Sequence, residues 1–300
     1  MKVIVFGAGK FGKYLIKYFD NSDEYNIVAV VDSEKVGVQV CGHKVIAPSK
    51  IKEYEYDFIY VTPVNVRYNQ EISDVLKSIN IHKNKIRYLR DDVELIKKAV
   101  TGSVLYEESD IRVNWLKNYS IYAKQKNIKG CVAECGVDKG DFAYYINKYF
   151  DDKTCYLFDT FTGFAQNDLK REQSFSQDAF LKGSFNQLGN FKYTSEDIVY
   201  EKMPNKDNIV IKKGYFPETA NDLPDNEFCF VNLDMDLYNP TIEGLRFFHE
   251  RLVSGGVILC HDYFHPELPG VRKAVDEFCN DHEVNCIPIG DNCSIAVLNL

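Results

Sequence analysis

The sequence predicts an α/β chain built from two doubly wound parallel sheets in series. Three observations carry that prediction. Short apolar strands alternate with amphipathic helices, the pattern of a parallel sheet covered on both faces. Twice a glycine-rich loop follows the first strand of such a series, at Gly7 and again at Gly136. The last two apolar runs are separated by Gly290-Asp291-Asn292 alone, a turn so short that the strands it joins are antiparallel. Both sheets are therefore Rossmann-like, and the second ends in an antiparallel hairpin. A length of 300 residues is about twice that of a usual domain and leaves room for both.

The first sheet opens with VIVF (3–6) and enters a helix with Phe11, Leu15 and Phe19 on one face. IVAVV (27–31) ends in Asp32; a hairpin-like GVQVCGHKVIAP, FIYVT (58–62), a helix around 66–79 and IRYL (86–89) complete a unit over 1–98. A helical connector is expected over 99–128, with Asp110 as a cap and Ile111, Trp115, Tyr119 and Tyr122 at helical spacing. The second sheet, over 129–300, restarts at CVAE (131–134) and continues with TCYLFD (154–159), NIVI (208–211), FCFVNLD (228–234) and GVILC (256–260). A helix after Pro269 places Val271, Ala274, Val275 and Phe278 on one stripe. VNCIPI (284–289) and CSIAVL (293–298) form the closing hairpin. Five parallel strands closed by a hairpin are the plan of a class I methyltransferase fold, whereas a hydride-transfer domain normally ends on another parallel strand.

Composition narrows the class of function. Hydrophobic residues make up 45% and charged residues 27%, as in ordinary globular chains, and no apolar run reaches membrane-spanning length. The opening MKVIVFGAGK is too short in apolar residues for an export signal, so a cytoplasmic protein is expected. Nine cysteines with no C-x-x-C pair read as small buried hydrophobes in a reducing compartment. The net charge of −8 is uneven: +3 over residues 1–100 and −11 over 101–300. The acidic part repels phosphate polymers, which argues against nucleic acid and for a small neutral or cationic ligand.

Three constellations carry chemistry. Gly7-x-Gly9-x-x-Gly12 lies between a strand and a helix, with Asp32 placed 20 residues further on. That is a dinucleotide fingerprint, in which glycines approach a pyrophosphate and the acid takes a ribose diol. It serves equally as a structural or substrate-presenting loop, so NAD or another nucleotide stays open there. The second loop is Glu134-Cys-Gly136-Val-Asp-Lys-Gly140, with Asp159 closing the next strand. An acid beside such a loop suits the ammonium and sulfonium charges of S-adenosylmethionine, and Asp159 suits its ribose hydroxyls. The alternative is a strand-end acid with glycines that only permit close packing. The third constellation follows two neighbouring strands: Asp234-Met-Asp236, then His261-Asp262-Tyr263. Strand ends share the edge where open α/β sheets bind ligands, and these oxygens suit Mg²⁺, or Mn²⁺ with the imidazole included. The alternative is helix capping, with Asp236 just ahead of a helix over 240–253. The segment 160–206 is long for a connection and reads as a lid or acceptor-binding insert. Its Phe161, Phe164, Phe175, Phe180 and Phe185 fit a wall for a sugar face or a small core of their own.

Residues from about 108 to 300 resemble the macrocin (TylF-type) O-methyltransferases. VAECGVDKGDFA, LFDTFTGF, KKGYFPET, FVNLDMDLYNPTIEGLRFF and RLVSGGVILCHDYFHPELPGVRKAVDEF carry the likeness. The resemblance implies S-adenosylmethionine-dependent methylation of a sugar hydroxyl on a glycan, nucleotide sugar or glycosylated metabolite, by a homo-oligomer. It implies a cofactor site at Glu134, Gly136, Gly140, Asp159, Thr160, Phe161, Gly214 and Asp234. Asp234 and the pair His261-Asp262 would hold the metal and position the acceptor, with Asp236 as a further ligand. One departure stands out: His261 occupies a place where an acid is usual, which weakens a Mg²⁺ site, changes the metal, or supplies a general base. The tract VVDSEKVGVQVCGHKVIAPSKI resembles front domains of bacterial sugar-modifying proteins. Competing readings are a nicotinamide-dependent sugar oxidoreductase or epimerase using the first sheet, and a non-catalytic nucleotide sensor.

Overall fold

The computed structural model describes residues 1–175, 193–223 and 227–299. The chain divides into two compact units, Met1–Leu105 and Tyr106–Leu300.

In the first unit, strands β1 (Lys2–Phe6), β2 (Asn26–Val31), β3 (Gln39–Val40), β4 (His43–Ile46), β5 (Phe58–Val61) and β6 (Ile86–Tyr88) form one sheet in the order β3-β4-β2-β1-β5-β6. Every pairing is parallel except β3 with β4, the short hairpin read from the sequence. Helix α1 (Lys10–Asp20) buries Phe11, Leu15 and Phe19, as its periodicity requires. Helices α2 (Val66–Ser78) and α3 (Val93–Thr101) complete the unit, and Ile4, Phe6, Val31, Ile59, Val61 and Leu76 share its core.

Helix α4 (Ile111–Gln125) lies within the second unit. Its buried face is not the stripe expected from spacing. Arg112, Val113, Leu116, Tyr119, Ser120 and Ala123 are buried, while Ile111 and Tyr122 are exposed. Polar anchoring sets this rotation: the Tyr119 hydroxyl donates to Cys229 O at 2.7 Å, and Arg112 is drawn inward by acids described below. Asp110 sits at the cap position, but its carboxylate accepts from Glu107 N–H instead.

The second sheet has seven strands: β7 (Cys131–Cys135), β8 (Cys155–Asp159), β9 (Ile209–Lys213), β10 (Phe228–Leu233), β11 (Leu252–Cys260), β12 (Cys286–Pro288) and β13 (Ile295–Leu298). Their order is β12-β13-β11-β10-β7-β8-β9. The first five are parallel, and β13 runs antiparallel between β11 and β12. This is the class I methyltransferase fold that the closing hairpin implied. The strand order reverses at β7, between β8 and β10, which opens a crevice at the carboxyl edge there. All six residues of β10 are buried, as expected for a central parallel strand.

Helices α5 (Asp141–Tyr149), α6 (Gln166–Gln173), α7 (Glu196–Lys202), α8 (Tyr238–His249) and α9 (Pro269–His282) are distributed along this unit. The stripe Val271, Ala274, Val275 and Phe278 of α9 is buried as expected. Within the segment 160–206, the described phenylalanines make ordinary packing contacts. Phe161 is buried, Phe164 packs on Leu169 and Leu237, and the Phe175 ring centroid lies 5.1 Å from that of Tyr238. Phe180 and Phe185 lie outside the described residues. Of the nine cysteines, Cys135, Cys155, Cys229 and Cys260 are buried, the others are partly exposed, and all are free thiols.

One buried carboxylate ties three helices together. Glu172 of α6 accepts from Tyr238 N–H at 2.9 Å and from Gly270 N–H at 3.0 Å. Those are first-turn donors of α8 and α9, which have no side-chain cap of their own. The negative charge thus meets two positive helix termini at once. There is no room for a side chain between them: a Cβ on Gly270 would lie 2.1 Å from the Glu172 carboxylate. Replacing Glu172 by Ala strands both donors, so urea denaturation of the variant is expected to show a loss of about 2–4 kcal/mol in the second unit. An unchanged midpoint would mean that solvent or another acceptor serves those helix ends.

Candidate active site

β7, β10 and β11 end in register, with Leu233 paired to Cys135 on one side and Cys260 on the other. Gly136, Asp234 and His261 therefore emerge side by side at the carboxyl edge. Backbone bonds hold them there: Asp234 N–H donates to Cys135 O at 2.8 Å, and His261 N–H to Leu233 O at 2.9 Å. Gly136 has φ +85°, and a Cβ on it would lie 1.9 Å from Asp234 O. The glycine is required by this approach of the first loop to the acidic strand end.

A buried polar chain runs along this edge. Arg112 Nη2 donates to Asn232 Oδ1 at 2.8 Å and to Asp234 Oδ2 at 3.0 Å. Asn232 Nδ2 in turn donates to Glu134 Oε1 at 2.8 Å. The guanidinium lies 3.8 Å from the centroid of the Phe142 ring. Arg112, Asn232 and Glu134 are all buried, yet Arg112 Nε, Arg112 Nη1 and Glu134 Oε2 have no hydrogen-bond partner. Burial, reinforced by the Asp234 charge, pushes the Glu134 carboxyl well above the usual range, against the pull of Arg112 and Asn232. Sequence reading found Glu134 but missed Arg112 and Asn232. The signals were present: a charge inside the apolar face of α4, and an amide inside the apolar run FCFVNL.

The acids past β10 and β11 converge. Ligand oxygens of Asp234, Asp236 and Asp262 lie within 4.8 Å of one another. Asp236 and Asp262 hold left-handed backbone conformations, φ 64° and 63°, which cost non-glycine residues about 1 kcal/mol or more and cluster at functional edges. Asp236 does not cap α8, whose start lacks any side-chain cap and is served by Glu172. Burial, then the charges of Asp262 and Asp234, raise the Asp236 carboxyl far above its usual range. His261 Nδ1 lies 3.1 Å from Asp234 Oδ1 and 2.9 Å from Asp262 Oδ2. Burial favours a neutral imidazole, as does Arg112, but the two carboxylates outweigh them and keep it protonated. Burial would likewise raise Asp234; His261 and Arg112 hold it well below the usual range.

The glycine loop after β7 and the residues that close β8 form a second cluster. Asp159 Oδ2 accepts from Asp138 N–H at 2.8 Å and Oδ1 from Phe161 N–H at 2.7 Å. Gly214 N–H donates to Asp159 O at 2.9 Å, and Thr160 Oγ1 donates to Gly163 O at 2.8 Å. Gly140 begins α5 with φ 74°. The first unit repeats the device: Asp32 Oδ2 accepts from Ala8 N–H at 2.8 Å, and its Oδ1 accepts from Glu34 and Lys35 N–H. Gly7 and Gly12 are packing glycines, since a Cβ on Gly12 would lie 1.9 Å from Gly7 O and one on Gly7 2.6 Å from Thr62 Oγ1. A Cβ on Gly9 would meet nothing within 4 Å. Lys35 Nζ closes this loop by donating to Ala8 O at 3.0 Å.

The second unit thus has the fold and the carboxyl-edge acids of a class I methyltransferase. The family model for macrocin-O-methyltransferase (TylF) matches residues 68–294, and the chain belongs to that family. It is an O-methyltransferase. A model described as C2185-like, N-terminal, matches residues 1–87. Among solved structures, the O-methyltransferase NovP is 22% identical with a TM-score of 0.52, over 63% of this chain and 79% of that one, a likeness of fold. The calicheamicin methyltransferase CalS11 is 18% identical with a TM-score of 0.45, over 81% and 95% of the two chains. No curated protein matches the chain. Among the described residues no helix is long and apolar enough to cross a membrane.

Removing one member of the buried ion pair leaves its partner uncompensated. Arg112→Leu is expected to destabilise the second unit by about 3 kcal/mol, and adding Asp234→Asn is expected to recover part of that loss. Thermal melts of the two single variants and the double variant measure the coupling; purely additive effects would remove the pair from the account.

Proposed function

We propose that the protein transfers a methyl group from S-adenosylmethionine to a hydroxyl of a sugar, carried by a glycan, a nucleotide sugar or a glycosylated metabolite. The observation that carries the donor assignment is the set of orphaned polar atoms. Glu134 Oε2 is a buried acceptor without a donor, and Arg112 Nε and Nη1 are buried donors without an acceptor. One ammonium and one carboxylate, as on the methionine end of the donor, satisfy both requirements. Asp159 then accepts the ribose hydroxyls while keeping Asp138 and Phe161 in place, and Gly136 and Gly140 let the backbone approach the donor.

The acidic edge serves the acceptor. Its hard oxygens fit a divalent ion such as Mg²⁺ or Mn²⁺, held by Asp234, Asp236 and Asp262, and the crowding of three carboxylates beside a single histidine supports that fit. Such an ion supplies Lewis acidity toward a sugar hydroxyl. The chain's own part is to hold that hydroxyl in line with the methyl carbon; His261, kept protonated by Asp234 and Asp262, is not the group that takes its proton. The sugar class draws on the macrocin family, and the similar CalS11 is described as a TDP-rhamnose 3'-O-methyltransferase. For the first unit we keep a structural or substrate-presenting role over NAD binding. Its loop is closed by Asp32 and Lys35, and β1 has Val5 at the position, two before the loop glycine, where β7 carries Glu134. The enzyme is taken to work as a cytoplasmic homo-oligomer, where nine free thiols stay reduced.

Calorimetry with S-adenosylhomocysteine tests the donor site. Binding is expected in the wild type and weakened at least ~30-fold by Asp159→Ala, the equivalent of about 2 kcal/mol in lost hydrogen bonds; NAD(H) is expected to give no heat. Binding of NAD(H) alone would reverse the assignment. Electron paramagnetic resonance of added Mn²⁺ tests the acidic edge: a bound signal is expected, and Asp236→Ala together with Asp262→Ala should abolish it. A chain that leaves Mn²⁺ free in solution has no metal site here.

A further inference from the structure

The closing hairpin delivers a thiol to the acidic edge. Cys293 Sγ lies 3.4 Å from Asp262 Oδ1, and donor atoms of His261, Asp262 and Cys293 all fall within 4.8 Å of one another. This triad shares Asp262 with the all-carboxylate group, so the two sets surround one region. The thiol is fixed in place from both sides of its backbone. Cys293 N–H donates to Asp291 Oδ1 at 2.9 Å, Cys293 O accepts from Phe264 N–H at 3.0 Å, and Asp291 also takes Ser294 N–H and Oγ–H. An Asp-anchored turn therefore holds the sulfur against the acid.

The thiol donates to Asp262 Oδ1 in this structure, and that 3.4 Å spacing, like the two shorter ones at His261 Nδ1, suits neighbouring ligands of a common centre. Donor atoms about 2.1 Å from a six-coordinate ion stand about 3 Å apart along adjacent edges, and slightly more when one is sulfur. His261 Nδ1 is 2.9 and 3.1 Å from the two carboxylate oxygens, but neither approach has hydrogen-bond geometry. A thiolate and an imidazole are poor ligands for Mg²⁺ and good ones for Zn²⁺ or Co²⁺.

We propose that Cys293 is a ligand of the divalent ion, and that with His261 and Asp262 it makes the site bind thiophilic transition ions more tightly than Mg²⁺. On binding, the thiol and imidazole protons pass to solvent. This inference rests on the reading of the acidic edge as a metal site, and the test separates the two.

The chelator-stripped full-length protein is titrated with Co²⁺, with uptake followed by calorimetry and the ligand set by absorption. The expected result is one bound ion with a near-ultraviolet sulfur-to-cobalt charge-transfer band, and displacement of that ion by Zn²⁺ but not by equimolar Mg²⁺. Cys293→Ser, checked for folding by circular dichroism, is expected to lose the band and to bind Zn²⁺ at least ~10-fold more weakly. Bound Co²⁺ without the band in the wild type overturns the role of Cys293 and leaves the metal site standing. A band that persists in Cys293→Ser also overturns it, since another thiol then supplies the sulfur. No uptake of Co²⁺ at all overturns both the inference and the metal reading beneath it.

Discussion

The buried guanidinium of Arg112 is the constraint on which the active edge depends. It is buried, and its Nη2 alone joins Asn232 and Asp234. Through Asn232 it reaches Glu134, so one cation is linked to an acid within β7 and to the acid that follows β10. A buried charge is tolerated only when compensated. Here the compensation is a deliberately incomplete set of partners, with donors and an acceptor left over on either side of Asn232.

Around that chain the backbone is brought closer than side chains allow. Gly136 approaches the Asp234 carbonyl so tightly that a Cβ on it would lie 1.9 Å from that oxygen. The left-handed conformations at Asp138, Phe161, Asp236 and Asp262 are found along the same edge. Such strain persists only where neighbouring structure enforces it, and Glu172, by fixing the starts of α8 and α9 behind the edge, is part of that enforcement.

Much of this was readable before folding. Strand direction in the second unit followed from alternation and the short final turn, because parallel strands need crossovers and hairpins do not. Glu134, Gly136, Asp159, Asp234, Asp236, His261 and Asp262 announced themselves by standing at the ends of apolar runs, where an open sheet exposes its loops. Arg112 and Asn232 were passed over, although each is a polar residue with buried apolar neighbours, because their partnership spans 120 residues of the chain. The rotation of α4 was misread because its helical spacing allows several faces, and the acids, not the hydrophobic stripe, chose among them.

The sequence by itself determined two parallel sheets, the closing hairpin and the family of carboxylates at one edge, since these depend on local periodicity and on rules of strand connection. Tertiary structure decided which polar atoms are satisfied and which are left waiting. It turned Cys293, one of nine unremarkable thiols, toward Asp262, and it gave Glu172 two helices to hold. Those outcomes depend on distances between segments far apart in sequence, which no local pattern encodes.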